Sequence, residues 1–185
     1  MDIKFVENFD KRSGYSEPHI LKTLLSIDVS VGREKLMKDL GLNEASARTL
    51  LNFLKRKGLL KSTKRGHEPT NKCNEIVKFL KANIKGPIIL KKSKITVGEK
   101  NIAYIVKKRA NKIRYGIEQR DHAIMMGAHG LTTIIKKGKL FMPGMKANIN
   151  LDVEMEDGDV LLIGSAKNRH TAELAALYAA YLLLR

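Results

Sequence analysis

Apolar residues in the first part of the chain recur at intervals of three and four, the spacing of a helix with one buried face. This pattern predicts helices over residues 18–27 and 33–40, and a third that runs from a cap at Asn43 to about Lys57. Gly41 suits a tight turn before the third helix, and the Asn43 side chain can accept a hydrogen bond from a free N–H group of the first turn. Three consecutive helices are therefore expected.

The predicted third helix has two different faces. Its apolar stripe consists of Ala47, Leu50, Leu51 and Leu54. The opposite face carries Arg48, Thr49, Asn52 and Arg56. Arginine can donate two hydrogen bonds to guanine, asparagine can pair with adenine, and threonine can contact a thymine methyl group or a phosphate. The polar face is therefore typical of a helix in the major groove of DNA, and the alternative is a solvated helix face.

A short basic hairpin is predicted directly after the third helix. Gly58 ends the helix, residues 59–60 begin a strand, and residues 61–67 turn the chain back toward Pro69. Between Ala45 and His67 seven side chains are basic and none is acidic. This composition favours contact with the phosphate groups of a nucleic acid.

Residues 16–83 resemble the winged helix-turn-helix family of prokaryotic transcriptional regulators. The resemblance is carried by REKLMKDLGLNEASARTLLNFLKRKGLL and by RGHEPTNKCNEI, which is similar to the family's wing and the start of the next helix. A glycine is frequent in the family where this chain has Cys73. The resemblance implies that the contacts of the recognition helix come from Ser46, Arg48, Thr49, Asn52 and Arg56. It also implies that Lys64 and Arg65 on the wing contact phosphate.

The pattern changes at residues 83–87, where a helical segment meets a Gly-Pro pair and short β-branched runs follow. A hairpin is predicted from residues 95–97 and 102–106, a helix over 119–126, strands on either side of Gly138, and a buried strand over 160–163. The last predicted helix, residues 171–184, is apolar nearly all round, so it lies either in the core or in a dimer interface. The expected fold class is α+β, with a winged-helix domain over residues 1–84 and a small mixed α/β domain over 85–185.

Two places in the second half are candidate ligand sites. Gly164 and Ser165 are expected where a strand ends and a helix begins, so their N–H groups can hold a phosphate or carboxylate, unless they form a plain connector. Thr132 follows a glycine-rich turn and a helix that bears Arg120 and Asp121, although close packing of helix on sheet explains the small residues equally well. Residues 120–144 and 157–166 also resemble an archaeal domain attached to winged helices.

The composition narrows the classes of partner. The chain has 35 Lys and Arg against 19 Asp and Glu, a formal charge of +16, which favours polyanionic partners. Cys73 is the single cysteine, so neither an internal disulfide nor a cysteine-based zinc site is expected. The histidines at positions 122, 129 and 170 match no common metal site, and no metal or cofactor is predicted. No signal peptide is found, and no apolar run reaches the roughly 20 residues of a membrane span, so a cytoplasmic protein is expected.

These observations predict a regulator of transcription that binds double-stranded DNA and is not an enzyme. Its second domain is expected to bind a small anionic effector, to form a homodimer, or both. One alternative is a small enzyme with an appended winged helix, acting on an anionic substrate near Gly164 and Ser165. Another is an RNA-associated protein, because residues 85–114 contain ten basic side chains and one acid, Glu99.

Overall fold

The structure is a computed structural model that describes residues 6, 9–27, 32–64, 66–145 and 149–185. Contacts between Cα atoms divide the chain into two compact units, residues 1–82 and 83–185. Helices and two separate sheets make the fold mixed α+β, which confirms the predicted class. The assignment of one separate function to each unit stays a prediction.

The first unit contains four helices and one antiparallel hairpin in the part that the structure describes. Its elements, after a 3-10 turn at Lys11–Ser13, are α1 Glu17–Ser26, α2 Arg33–Leu40, α3 Glu44–Arg56, β1 Leu60–Thr63, β2 Gly66–Pro69 and α4 Asn71–Asn83. The three helices predicted from periodicity are confirmed. Asn43 caps α3 as expected, because its Oδ1 accepts a hydrogen bond from the Ser46 N–H at 2.8 Å. Gly41 ends α2 with a φ of 63°, a conformation that glycine adopts without steric cost.

The apolar faces of the first three helices form the core of this unit. Its members are less than 3 % exposed and include Ile20, Leu21, Leu24, Leu36, Leu40, Leu50, Leu51 and Leu54. The chain before α1 packs on α3 through aromatic rings, since the Tyr15 and Phe9 centroids are 5.0 Å apart and Phe9 lies 6.2 Å from Phe53. This contact covers one side of α3 at Phe53, in the C-terminal half of the helix.

The hairpin joins α3 to α4 through Thr70. Leu60 pairs with Pro69 and Thr63 with Gly66, so the strands are in register from the base to the turn. The Thr70 hydroxyl donates to the carbonyl of Gly58 at 2.7 Å and also accepts from the Cys73 N–H in the first turn of α4. Thr70 therefore connects the end of α3 to the start of α4 and holds the base of the hairpin.

The second unit is one antiparallel sheet with two helices in its described residues. Its elements are β3 Ile84–Leu90, β4 Lys100–Val106, α5 Ile117–Met125, β5 Gly130–Lys137, β6 Lys139–Phe141, β7 Val160–Ala166 and α6 Arg169–Leu184. The strand order is β3-β4-β7-β5-β6, and every neighbouring pair is antiparallel. The central strands β4 and β7 are buried almost throughout.

The two faces of this sheet are covered differently. Helix α6 lies on one face, where the Tyr104 hydroxyl donates to the buried Glu173 carboxylate at 3.3 Å. On the other face Ala103, Ile105 and neighbouring strand residues form an apolar cluster, which is covered by side chains from the loops around Ile95 and Leu151. Most of α6 is buried within its own unit. Of the two locations predicted for this helix, the core and a dimer interface, the structure shows the core.

Two predictions about local structure were wrong. Residues 95–97 do not pair with β4, whose partners are β3, with Ile88 opposite Ala103, and β7. The segment turns instead, because the Thr96 hydroxyl accepts from the Ser93 N–H, and Ile95 packs against the sheet. The two units divide between residues 82 and 83, beside the segment 83–87 where the sequence pattern changes, and the Gly-Pro pair itself lies inside β3, where the register shifts. Gly164 and Ser165 lie within β7 and not in a loop after it.

No helix among the described residues has both the length and the apolar character to cross a membrane.

Candidate functional sites

The outer face of α3 presents three of the predicted recognition residues to solvent. Arg48, Asn52 and Arg56 are all exposed and follow each other at intervals of four, which places them along one side of the helix. Thr49 is less exposed, and its hydroxyl donates to the Ala45 carbonyl at 2.9 Å. The hydroxyl proton of Thr49 is thus used inside the helix, leaving an oxygen acceptor and a methyl group for other contacts.

Ser46 does not belong to this exposed face. Its side chain is 7 % exposed and lies beneath the turn that precedes α1. A Cβ atom at Gly14 would overlap the Ser46 hydroxyl, so the two residues are already in close contact. The resemblance implied a base contact for Ser46, and this assignment fails on the structure because tertiary packing covers the side chain.

A carboxylate at the start of α3 connects two arginines. Glu44 Oε1 accepts hydrogen bonds from Arg33 Nη1 at 2.7 Å and from Arg48 Nη2 at 3.0 Å. Arg33 is the first residue of α2, so this bridge joins the N-terminal ends of the two helices. Sequence reasoning missed Arg33, although its position at a helix start beside an acidic residue of α3 was a usable signal.

The hairpin adds basic and titratable groups. Lys64 is exposed at its turn, and the predicted wing residue Arg65 lies outside the described residues. His67 faces Ser62 across the strands, with 3.3 Å between its Nδ1 and the Ser62 hydroxyl oxygen. Partial burial, together with the charges of Lys55 and Arg33, lowers the pKa of His67. His67 therefore lies in positively charged surroundings that sequence reasoning did not identify.

Gly164 and Ser165 are closed to ligands in this structure. Ser165 is fully buried, and its hydroxyl donates to Asn101 Oδ1 on β4 at 2.7 Å. Gly164 lies against α6 so closely that an added Cβ would be 3.0 Å from the Ala176 nitrogen. The predicted anion site at these two residues is wrong as a description of this structure, because a continuous strand replaces the expected loop.

The other predicted ligand residues are near a small cavity beside the start of α5. This cavity has a volume of about 160 Å³, and both Arg120 and Thr132 line it. Asp121 is not part of its lining but pairs with the Arg120 guanidinium at 3.2 Å. Thr132 is buried, and its hydroxyl donates to the Ile95 carbonyl. The structure thus brings Arg120 and Thr132 to one cavity, with Asp121 as the counter-ion of the arginine.

The neighbouring residue, Thr133, was missed. It lines the same cavity, is 4 % exposed, and its hydroxyl has no hydrogen-bond partner among the described residues. The alternation of side chains along a strand places Thr132 and Thr133 on opposite faces. A larger cavity of about 360 Å³ lies near Ile95 and Met142, but none of its described lining atoms is a buried polar group without a partner.

Comparisons with known proteins cover both units. No curated protein matches the chain. The solved structure "Hypothetical protein PH0730 from Pyrococcus horikoshii OT3" is similar to it, with 28 % sequence identity and a TM-score of 0.74 over 91 % of this chain and 92 % of that one. Residues 97–183 match a family model described as "Domain of unknown function (DUF4443)". The resemblance of the second half to an archaeal domain is supported by these matches, which indicate no function.

Proposed function

We propose that this protein is a transcriptional regulator of the winged-helix type that binds double-stranded DNA through α3 and the β1–β2 hairpin. The observation that carries the proposal is the exposed row of Arg48, Asn52 and Arg56 on one helix beside a basic hairpin. Arginine and asparagine are the residue types that recognise base edges in the major groove. The hairpin lies directly after this helix in the chain, as the wing does in winged-helix proteins.

The spacing of the row fits the dimensions of DNA. Residues 48 and 56 are eight positions apart, which is about 12 Å along a helix axis at 1.5 Å per residue. Base pairs are about 3.4 Å apart, so the row spans about three to four base pairs. Asn52 lies at its centre and is the residue for which the strongest dependence on base sequence is expected. Lys64, at the tip of the hairpin, is assigned to the phosphate backbone.

The remaining parts of the proposal concern the second unit. We propose that the second unit binds a small anionic effector. We also propose that the whole chain is a cytoplasmic homodimer without enzymatic activity. The burial of α6 in its own unit accounts for the apolar composition of that helix, which therefore gives no separate support for a dimer. The dimer is proposed because regulators that bind paired DNA half-sites share their two-fold symmetry.

Neither alternative has comparable support. The proposed RNA-binding segment contains Lys85, Lys107 and Lys108, and all three form ion pairs with Glu154 or Glu156. Their charges are therefore partly balanced within the protein. The enzymatic alternative depended on Gly164 and Ser165, which are buried.

Binding of the whole chain to selected and scrambled duplexes tests the proposal. A preferred duplex is first selected from a random library, and affinities are then measured by fluorescence anisotropy between 50 and 200 mM salt. Neutralising about three phosphates would lower affinity tenfold or more over this range. Asn52→Ala should cost about 1–3 kcal/mol on the preferred duplex and little on the scrambled one. Asn74→Ala, an exposed asparagine on α4, is the matched control.

Lys64→Ala tests the hairpin in the same assay. Affinity for both duplexes should fall alike, and the salt dependence should decrease by about one ion, because a phosphate contact carries no sequence information. Lys78→Ala on α4 is the control, since that lysine is also exposed. Equal losses on both duplexes for Asn52→Ala would refute base recognition by α3, and an absence of binding at 50 mM salt would refute the proposed function.

A further inference from the structure

The cavity beside α5 begins at a helix end without a side-chain cap. Helix α5, Ile117–Met125, has Gly116 at its N-cap, and no side chain accepts a hydrogen bond there. The first N–H groups of a helix have no partner within the helix, and the helix dipole adds partial positive charge at this end. Gly116 and Ile117 both line the cavity, so these groups lie beside it.

Thr133 supplies a second and independent feature of the same cavity. Its hydroxyl is buried and has no partner among the residues that the structure describes, and a buried polar group in that state costs free energy. Gly116 lies directly over it, because a Cβ at residue 116 would be 3.1 Å from the Thr133 hydroxyl oxygen. Any side chain at position 116 would therefore fill the space between the helix end and Thr133. A ligand acceptor in the cavity would satisfy the hydroxyl.

Charge and apolar lining determine what kind of ligand fits. Arg120 is the one charged residue among the described lining residues, and its side chain is 53 % exposed. Glu118, in the first turn of α5, lines a different cavity together with Arg114. The apolar side chains of Leu131, Met142 and Pro143 form another part of the wall. A cavity of about 150 Å³ can hold benzene, so about 160 Å³ suits a ligand of about six to eight non-hydrogen atoms.

We infer that this cavity binds a small carboxylate with a short apolar group. The carboxylate pairs with Arg120 and the first N–H groups of α5, the Thr133 hydroxyl donates to it, and the apolar group lies against Leu131 and Met142. Asp121 holds the Arg120 guanidinium in the free protein, and the ligand carboxylate replaces it. This inference rests on the effector-binding part of the proposed function and names the class of effector.

The test uses the full chain without DNA and three small acids: isobutyrate, isovalerate and pyruvate. Each is compared by calorimetry with its neutral amide, and inorganic phosphate is measured in parallel. At least one acid should bind saturably and about tenfold or more tightly than its amide, because only the acid forms charge-assisted hydrogen bonds with Arg120. Equal binding of all acids and amides, no saturable binding by any acid, or binding of phosphate alone would overturn the assignment.

Variants locate the binding. Arg120→Gln should weaken the binding of the tightest acid about tenfold. Arg114, an exposed arginine of the neighbouring cavity, provides the control, because Arg114→Gln should leave the affinity for that acid unchanged. Asp121→Asn should tighten binding, because it removes the competing carboxylate. Thr133→Val should raise the melting temperature of the free protein and yet weaken the binding of the acid. A purely structural threonine would not produce this combination. Unchanged affinity in both Arg120→Gln and Thr133→Val would place the ligand elsewhere.

This outcome is separable from the test of DNA binding. Acid binding is measured in the absence of nucleic acid, and the Asn52 and Lys64 variants are measured without acid. If none of the acids binds, the proposed site at α5 is refuted, and the results of the DNA-binding experiments are unaffected. Failure of DNA binding would leave a carboxylate-binding protein whose function is not regulation of transcription.

Discussion

Gly164 in β7 lies directly beneath Ala172 in α6, so closely that a Cβ atom at residue 164 would overlap the Ala172 carbonyl oxygen. The backbone of Gly164 is at the centre of the sheet, opposite Ile102 on β4 and Leu131 on β5. The absence of a side chain at this position is what lets the helix lie flat on the strand. The glycine therefore has a packing role in the core of the second unit.

Gly164→Ala is expected to destabilise the protein by about 1–3 kcal/mol, because an extra methyl group in a packed core forces the helix away from the sheet. Urea denaturation of the full chain, followed by the fluorescence of its tyrosines, measures the change. Gly32→Ala is the control, since no atom of the described part of the chain lies within 4 Å of a Cβ there. It should cost less than about 1 kcal/mol. A variant Gly164→Ala as stable as the native chain would show that α6 does not pack as described.

Ser165→Ala should also lower the stability of the protein. Asn101 is 1 % exposed, and its Oδ1 accepts the hydrogen bond of the Ser165 hydroxyl. Removal of the hydroxyl leaves this buried oxygen without its donor, at an expected cost of about 1–3 kcal/mol. The exposed Ser62→Ala on β1 should change stability by less than about 0.5 kcal/mol. If Ser165→Ala altered ligand affinity without changing stability, Ser165 would have to be accessible to a ligand.

Glu44→Gln should strengthen the binding of DNA. The Glu44 carboxylate pairs with both Arg33 and Arg48, and it adds a negative charge to the surface assigned to the DNA. Its neutralisation frees two guanidinium groups and is expected to raise affinity about threefold to tenfold at 100 mM salt, on preferred and scrambled duplexes alike. Fluorescence anisotropy provides the measurement, and circular dichroism checks that α3 remains folded.

Glu75→Gln, on α4, is the matched control for the same change in net charge. It should leave the affinity unchanged if the DNA lies on α3. Weaker binding of Glu44→Gln to the preferred duplex only would contradict the electrostatic prediction, because it would mean that Glu44 accepts a hydrogen bond from a cytosine amino group.

The affinity for DNA should increase as the pH falls. In the free protein, burial and the charges of Lys55 and Arg33 lower the pKa of His67 from its ordinary value of 6.5. Phosphate groups nearby would raise this pKa, so binding of DNA takes up a proton at His67. By linkage, affinity rises as the pH falls through the pKa that His67 has in the complex, and it levels off below the lowered pKa of His67 in the free protein. Titrations from pH 8 to pH 5.5 measure the effect.

His67→Gln should abolish this increase while retaining most of the affinity at pH 8, where His67 is neutral. His129→Gln, an exposed histidine of the second unit, should retain the pH dependence of the native chain. An unchanged pH dependence in His67→Gln would show that this part of the hairpin does not approach the phosphates.

Much of the first unit follows from local sequence. The period of Leu50, Leu51 and Leu54 predicts which face of α3 is buried, and Asn43 caps the helix because its side chain reaches an N–H group three residues away. Such features depend on residues within one or two turns of each other. The exposure of Arg48, Asn52 and Arg56 was predictable for the same reason. Ser46 lies on the same helix, but its burial depends on Gly14, thirty-two positions earlier in the chain.

In the second unit the sequence by itself determined where most strands and helices lie, and the tertiary structure decided their partners and surroundings. The runs at 88–90 and 95–97 are both rich in β-branched residues, and only the first pairs with β4. Thr132 and Thr133 are chemically identical neighbours. One hydroxyl donates to the Ile95 carbonyl, and the other lies beneath Gly116 with no partner in the described ranges of the chain. Periodicity and capping arise from neighbours along the chain. Strand pairing and the partner of a buried hydroxyl depend on which distant segments the packed core brings together, and no local pattern records that choice.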